Sequence, residues 1–218
     1  MARPIIGIAL GGGAARGWAH IGVLKTLMDA GLEPDIVAGT SIGAVAGACY
    51  VTGRLQALED FAGALTRRRV FGFLDFNFAG SGLLTGQRLT SRLETHLENV
   101  TIERLQRKFV AVATELGTGH EVWLNKGSLV TALKASFALP GIFRPVKVNG
   151  RWLIDGALVN PVPVSVCRAF GARIVIAVNL SSDSVAKGSI IHDQEVLAEL
   201  SMPPEDTKLP GTNGRAAS

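Results

Sequence analysis

Histidine and cysteine are scarce in this chain, with four and two among 218 residues. Cys49 and Cys167 both fall inside apolar helical patterns. They read as small buried side chains rather than a disulfide framework, which fits a reducing, cytoplasmic setting. No group of histidine, cysteine and acidic residues has metal-ligand spacing, so no metal is expected. Charge is also sparse: 18% of residues are charged against 47% hydrophobic, the balance expected of strands covered on both faces. The aromatics, 6% of the chain, are not interleaved with basic residues as in a nucleic-acid stacking platform. The net charge of +4 and a pI near 9.4 therefore point to an anionic membrane surface, contacted peripherally, and not to nucleic acid. The tightest basic cluster, Arg67-Arg68-Arg69, reads as a solvated helix end.

Long hydrophobic runs are nearly absent too. Ile5 to Leu10 is shorter than a signal-peptide core of about 7–15 residues and reads as a first strand. The uncharged stretch Ile36 to Gly53 just meets the ~18-residue length of a membrane span, and Gly39, Gly43 and Gly47 have helix-dimer spacing. Yet the stretch is poor in Leu and Phe and rich in Gly, Ala, Ser and Thr, which suits a central buried helix. The length of the chain suits one α/β domain.

What is present centres on Gly39-Thr40-Ser41-Ile42-Gly43. An apolar run precedes it and the buried helical stretch follows, so the pentapeptide marks a strand, a sharp turn and a helix. The Gly-x-Ser-x-Gly spacing is that of a nucleophile elbow, whose flanking glycines leave room for neighbouring backbone and whose turn exposes a serine hydroxyl. The helix behind it turns its positive end to the site. The same spacing also serves an ordinary glycine-rich turn, and the rest of the chain decides between them.

Ile5 to Leu10 runs directly into Gly11-Gly12-Gly13-Ala14-Ala15-Arg16-Gly17, and a helical pattern follows from Ala19 to Leu27, closed by Gly31. Such a loop offers backbone N–H groups to an anion. It lacks the lysine and hydroxyl of a P-loop, and Arg16 stands where a dinucleotide fingerprint needs glycine. The remaining use is an oxyanion hole beside Ser41. Further on, Leu55 to Arg69 has an amphipathic helical pattern. Residues 70–86 are rich in phenylalanine and glycine without a period, and read as an apolar flap or a packed loop. A helix is expected over Gln87 to Glu98 and a strand over Phe109 to Thr114, with a partner strand at His120 to Leu124. Ser128 caps a helix from Leu129 to Phe137, Asn149-Gly150 turns a hairpin, and the hairpin's second arm delivers Asp155-Gly156-Ala157. Val164 to Phe170 is a short helix, and Arg173 to Leu180 is the last strand. Residues 1–180 form the domain. Residues 181–218 have the composition of a mobile tail, with helical pattern at Asp193 to Leu200.

A serine nucleophile needs a base, usually histidine. His96 lies in a polar helix, His120 opens a hairpin arm and His192 lies in the tail. His20 follows the glycine loop, where bracing the loop is the simpler role. Triads run in several chain orders, so a catalytic role stays open beside it. Asp155 ends an apolar arm, where its carboxylate would be partly dry. It reads either as a turn aspartate binding local amides or as the partner of Ser41.

Taken in order, Gly-Gly-Gly-Ala-Ala-Arg-Gly (11–17), Gly-Thr-Ser-Ile-Gly (39–43) and Asp-Gly-Ala (155–157) resemble the patatin-like phospholipases, especially their short bacterial members. Similar connecting stretches are Trp18 to Leu24, Ala135 to Pro145 and Val159 to Pro163, and the likeness spans residues 5 to about 180. The resemblance implies a three-layer α/β/α sandwich with a mostly parallel central sheet. It implies a lipid or acyl-ester substrate, no cofactor, and a Ser–Asp dyad in which Ser41 attacks and Asp155 accepts the proton. Gly11, Gly12, Gly13 and Ala14 would form the oxyanion hole, chiefly through the amides of Gly12 and Gly13. Arg16 and Gly17 would support the loop, Gly39 and Gly43 shape the elbow, and Gly156 and Ala157 complete the third motif. Ala14 departs from the pattern, because many members carry glycine there. A low-turnover lipid-binding or regulatory module that keeps the pocket is the alternative.

Overall fold

The computed structural model describes residues 3–64, 81–97 and 99–181, with residues 81–88 as backbone alone. Four strands run parallel in the spatial order β3-β2-β1-β7: β1 is Ile6–Leu10, β2 Ile36–Thr40, β3 Lys108–Glu115 and β7 Ile174–Val178. Three antiparallel strands complete the sheet. Strand β4 (Glu121–Leu124) and β6 (Arg151–Asp155) both pair with β3, and β5 (Val146–Val148) pairs with β6. Asn149 and Gly150 make the β5–β6 turn with φ of 48° and 83°, as a tight Asn-Gly hairpin requires.

Side chains alternate across the sheet, and each set has its own helical cover. Ile8, Leu10, Val37, Phe109, Ala111 and Ala113 pack into the larger core. That core lies under α1 (Ala19–Asp29), α2 (Ile42–Val51), α3 (Leu55–Gly63), α4 (Ser81–Leu97) and α5 (Leu129–Ser136). The alternate residues Ala9, Ile36, Ala38, Val110 and Val112 face Val166 and Cys167 of α6 (Val164–Ala169). This is the three-layer sandwich with a mostly parallel sheet. Helix α2 is apolar on all sides, and its residues from Ile42 to Cys49 are buried, because it lies centrally on the sheet. Among the described residues no helix is long and apolar enough to cross a membrane.

One boundary differs from the sequence reading. Helix α4 begins at Ser81, so residues 81–86 of the expected flap are helical. Gly82 and Gly86, each costing about 1 kcal/mol in a helix interior, had hidden that start. Residues 70–80, the Arg67-Arg68-Arg69 cluster, His192 and the expected tail beyond Ser181 lie outside the described residues.

The register of β3 positions the site. Ala111 and Val112 pair with both β2 and β4, while Ala113 and Thr114 pair with both β4 and β6. A strand has two edges, so β2 and β6 share one edge of β3, end to end. Thr40 ends β2 opposite Val112, and Asp155 ends β6 opposite Ala113. Asp155 thus takes the place that residue 41 would have held had β2 continued.

Candidate active site

Ser41 leaves the sheet at this junction. Its φ of 56° and ψ of −124° lie in a region that costs a non-glycine residue about 1–3 kcal/mol. Close packing holds the turn: a Cβ on Gly43 would strike the carbonyl oxygens of Leu10 and Gly11, and one on Gly39 would strike the Ala44 backbone. The half-buried Ser41 therefore points its hydroxyl along the sheet edge. Its Oγ donates to Asp155 Oδ2 at 2.6 Å.

Asp155 is 3% exposed. Its other oxygen, Oδ1, accepts the Ala157 N–H at 2.8 Å, which caps the 3-10 turn Gly156–Leu158. Its backbone is pinned as well. The N–H donates to the Ala138 carbonyl at 3.0 Å, and the carbonyl accepts Thr114 Oγ1 at 2.9 Å. Burial pushes the carboxyl above its ordinary range, and the bonds from Ser41 and Ala157 oppose this only in part. A raised pKa suits a group that must take a proton. Gly156 has Val112 backbone against its Cα, so the chain can leave β6 only where no side chain intervenes.

The glycine loop lies against both groups. A Cβ built on Gly12 would sit 3.3 Å from the Ala157 Cβ and 3.8 Å from the Ser41 Cβ. Gly17 abuts the Ile42 side chain at the start of α2. The amides of Gly11 and Gly12, however, donate to the carbonyls of Val178 and Pro161 at 3.0 and 2.9 Å. The expectation that the Gly12 N–H faces an oxyanion is corrected accordingly. No hydrogen bond among the described residues occupies the amides of Gly13 and Ala14. Ala14 has φ of 46°, a left-handed conformation that glycine adopts without strain.

His20 is fully buried, and its Nε2 lies 2.8 Å from the Gly11 carbonyl. Burial lowers its pKa, and the Gly11 carbonyl partly offsets that. A neutral ring donating from Nε2 braces the loop, while Ser41 Oγ has Asp155 as its partner. Arg16 also ties the loop down, its Nη1 donating to the Leu180 carbonyl at 3.3 Å. His120 lies on the exposed hairpin loop, and His96 is in the last turn of α4. Burial pushes the thiols of Cys49 and Cys167 up to about 12 and about 11, so neither is a nucleophile at neutral pH. Among the described residues no group of three or more histidine, cysteine and acidic side chains could hold a metal ion.

The family model for patatin-like phospholipase matches residues 8–168. The chain belongs to the patatin-like phospholipase family. An uncharacterized NTE family protein of Mycobacterium tuberculosis, Rv1063c, is 38% identical over 178 residues, 82% of this chain and 49% of that protein. A patatin-like phospholipase domain-containing protein of Caenorhabditis elegans, ZK370.4, is 36% identical over 185 residues, 81% of this chain and 14% of the relative. The chain thus spans about half the length of the mycobacterial relative. Among solved structures, that of VipD from Legionella pneumophila aligns with 73% of this chain and 47% of its own, at 14% identity and a TM-score of 0.49.

One polar group of this patatin-like site was not singled out from sequence. Ser136, fully buried, accepts the Ser41 backbone N–H on its Oγ at 2.9 Å. A signal was available, since Leu129, Leu133 and Ser136 fall on one helical stripe. A hydroxyl on an otherwise apolar stripe needs a partner.

Proposed function

We propose that this domain is a serine acyl hydrolase that cleaves fatty-acyl ester bonds, with Ser41 as nucleophile and Asp155 as its base. The observation that carries the reading is the 2.6 Å bond from Ser41 Oγ to a buried carboxylate. Asp155 takes the hydroxyl proton as Oγ attacks the ester carbonyl. The amides of Gly13 and Ala14 receive the charge that develops on the carbonyl oxygen, helped by the positive end of α2. Asp155 then gives the proton to the departing alcohol. In the second half-reaction the same carboxylate activates water, which releases the fatty acid and restores Ser41. One such oxyanion donor is typically worth about 3–4 kcal/mol of barrier, so the loop matters nearly as much as the dyad. The net charge of +4 favours a peripheral encounter with anionic lipid surfaces, where such esters are found.

The test is labelling by a fluorophosphonate probe, together with hydrolysis of short and long acyl esters. Wild type should label and turn over. Ser41→Ala should do neither, and Asp155→Asn should lose at least about 1000-fold in turnover, with circular dichroism showing both variants folded. A folded wild type that neither labels nor hydrolyses any ester, yet binds lipid, would instead make the domain a lipid-binding module.

A further inference from the structure

Ser136 is a buried hydroxyl for which the two-residue chemistry has no use. It is the last residue of α5 and is fully buried. Its single proton goes to the Val112 carbonyl at 2.6 Å. That fixes the rotor and turns a lone pair to the Ser41 N–H, 2.9 Å away. Two residues on, the Ala138 carbonyl accepts the Asp155 N–H at 3.0 Å. One three-residue stretch at the end of α5 therefore grips the main chain at both ends of the Ser41–Asp155 bond.

The reason Ser41 needs such a partner lies in the sheet. Asp155 occupies the position opposite Ala113, so the Ser41 amide has no place in the ladder. It stands ahead of the first bonded turn of α2, where helix amides lack partners. A buried amide of this kind demands an acceptor. The acceptor's location then decides how the peptide between Thr40 and Ser41 is turned, and hence where Oγ points.

We propose that Ser136 is a positioning residue of the hydrolytic site: its hydroxyl fixes the peptide plane at the elbow and so aims Ser41 Oγ at Asp155. The inference rests on the reading of Ser41 and Asp155 as nucleophile and base. Ser136→Ala leaves both the Ser41 N–H and the Val112 carbonyl unpaired. The simplest relief is rotation of the 40–41 peptide, which swings Oγ off line. Ser136 has no part in holding substrate, so the loss falls on the chemical step. A misplacement of about 1 Å can cost on the order of 100-fold in rate.

The experiment compares wild type, Ser136→Ala, Ser136→Cys and Val166→Ala, the last a buried change under the opposite face of the sheet. For each, the second-order rate of fluorophosphonate labelling, kcat, KM and the thermal midpoint are measured. Ser136→Ala should label and turn over about 10–100-fold more slowly with KM within about twofold. Ser136→Cys, whose sulfur is a weaker acceptor, should fall between. Val166→Ala should lose midpoint but keep its labelling rate. The inference is overturned if the folded Ser136 variants label at the wild-type rate, if only KM changes, or if Val166→Ala slows labelling as much. Should Ser136→Ala not fold, the Cys variant decides by the same rate. A wild type that never labels removes the hydrolase reading and this inference with it, whereas a labelling wild type beside unaffected Ser136 variants removes this inference alone.

Discussion

Ser41 and Asp155 meet at 2.6 Å, but their backbones differ in kind. Ser41 sits at φ 56°, ψ −124°, a conformation imposed by the close approach of Leu10, Gly11 and Ala44 to its flanking glycines. Asp155 has an unstrained φ of −51° and ψ of 130°, and hydrogen bonds to Ala138, Thr114 and Ala157 hold it. Close packing does most to hold Ser41, with one hydrogen bond from its N–H to Ser136 Oγ, and hydrogen bonds do most to hold Asp155. Damage on the first side should therefore be steric and structural, and damage on the second electrostatic and chemical.

The sharpest way to break this contrast is Gly43→Ala. Its Cβ would collide with main-chain oxygens of Leu10 and Gly11, which cannot rotate away. The expected result is a loss of about 3 kcal/mol or more in urea denaturation, together with loss of fluorophosphonate labelling. An alanine variant that keeps both would mean that the elbow is not held by shape.

Asp155→Asn probes the other side, where the effect on stability should be smaller and of opposite sign. Folding raises the Asp155 pKa through burial, so the native state holds its proton more tightly than the unfolded chain. That contribution to stability is present below the ordinary carboxylate pKa and is lost as pH rises through the raised value. Under the proposed mechanism turnover needs the ionised form and should rise over the same interval. Rate and stability thus run in opposite directions with pH, and Asp155→Asn should lack this contribution to the stability slope while having a thermal midpoint at neutral pH no lower than wild type. Paired pH profiles of kcat/KM and midpoint check both.

The smallest effect is expected at Ala14. Glycine there would remove the left-handed strain at φ 46°, worth about 1–2 kcal/mol, and would add unfolded-state entropy of about 0.4–1 kcal/mol. Ala14→Gly should raise stability by about 0–1.6 kcal/mol in urea denaturation, with the labelling rate within about threefold.

Much of this site was legible because its chemistry is local. The elbow, the glycine loop and Asp155-Gly156 each announce themselves through turn residues within a few positions. The continuous apolar strands and the uncharged stretch of α2 announce a sheet covered on both faces, while the three-layer order came with the family resemblance. Register was not legible: nothing in the Arg151–Asp155 arm says that it abuts the end of β2, because that alignment is made through a third strand. The engaged amides of Gly11 and Gly12 depend on Val178 and Pro161, distant in sequence. The start of α4 was masked by Gly82 and Gly86, whose local preference is for turns.

The end-to-end seating of β2 and β6 on one edge of β3 carries a consequence for how such a protein can change. Ser41 and Asp155 are 114 residues apart in the chain, yet their separation is counted along β3 as the single step from Val112 to Ala113. The exposed turn at residues 117–119, between β3 and β4, can lengthen without altering the separation of Ser41 and Asp155. One residue added between Val112 and Ala113 would part the pair by about 3.3 Å. Length is thus tolerated in such exposed turns and forbidden at the peptide bond between Val112 and Ala113.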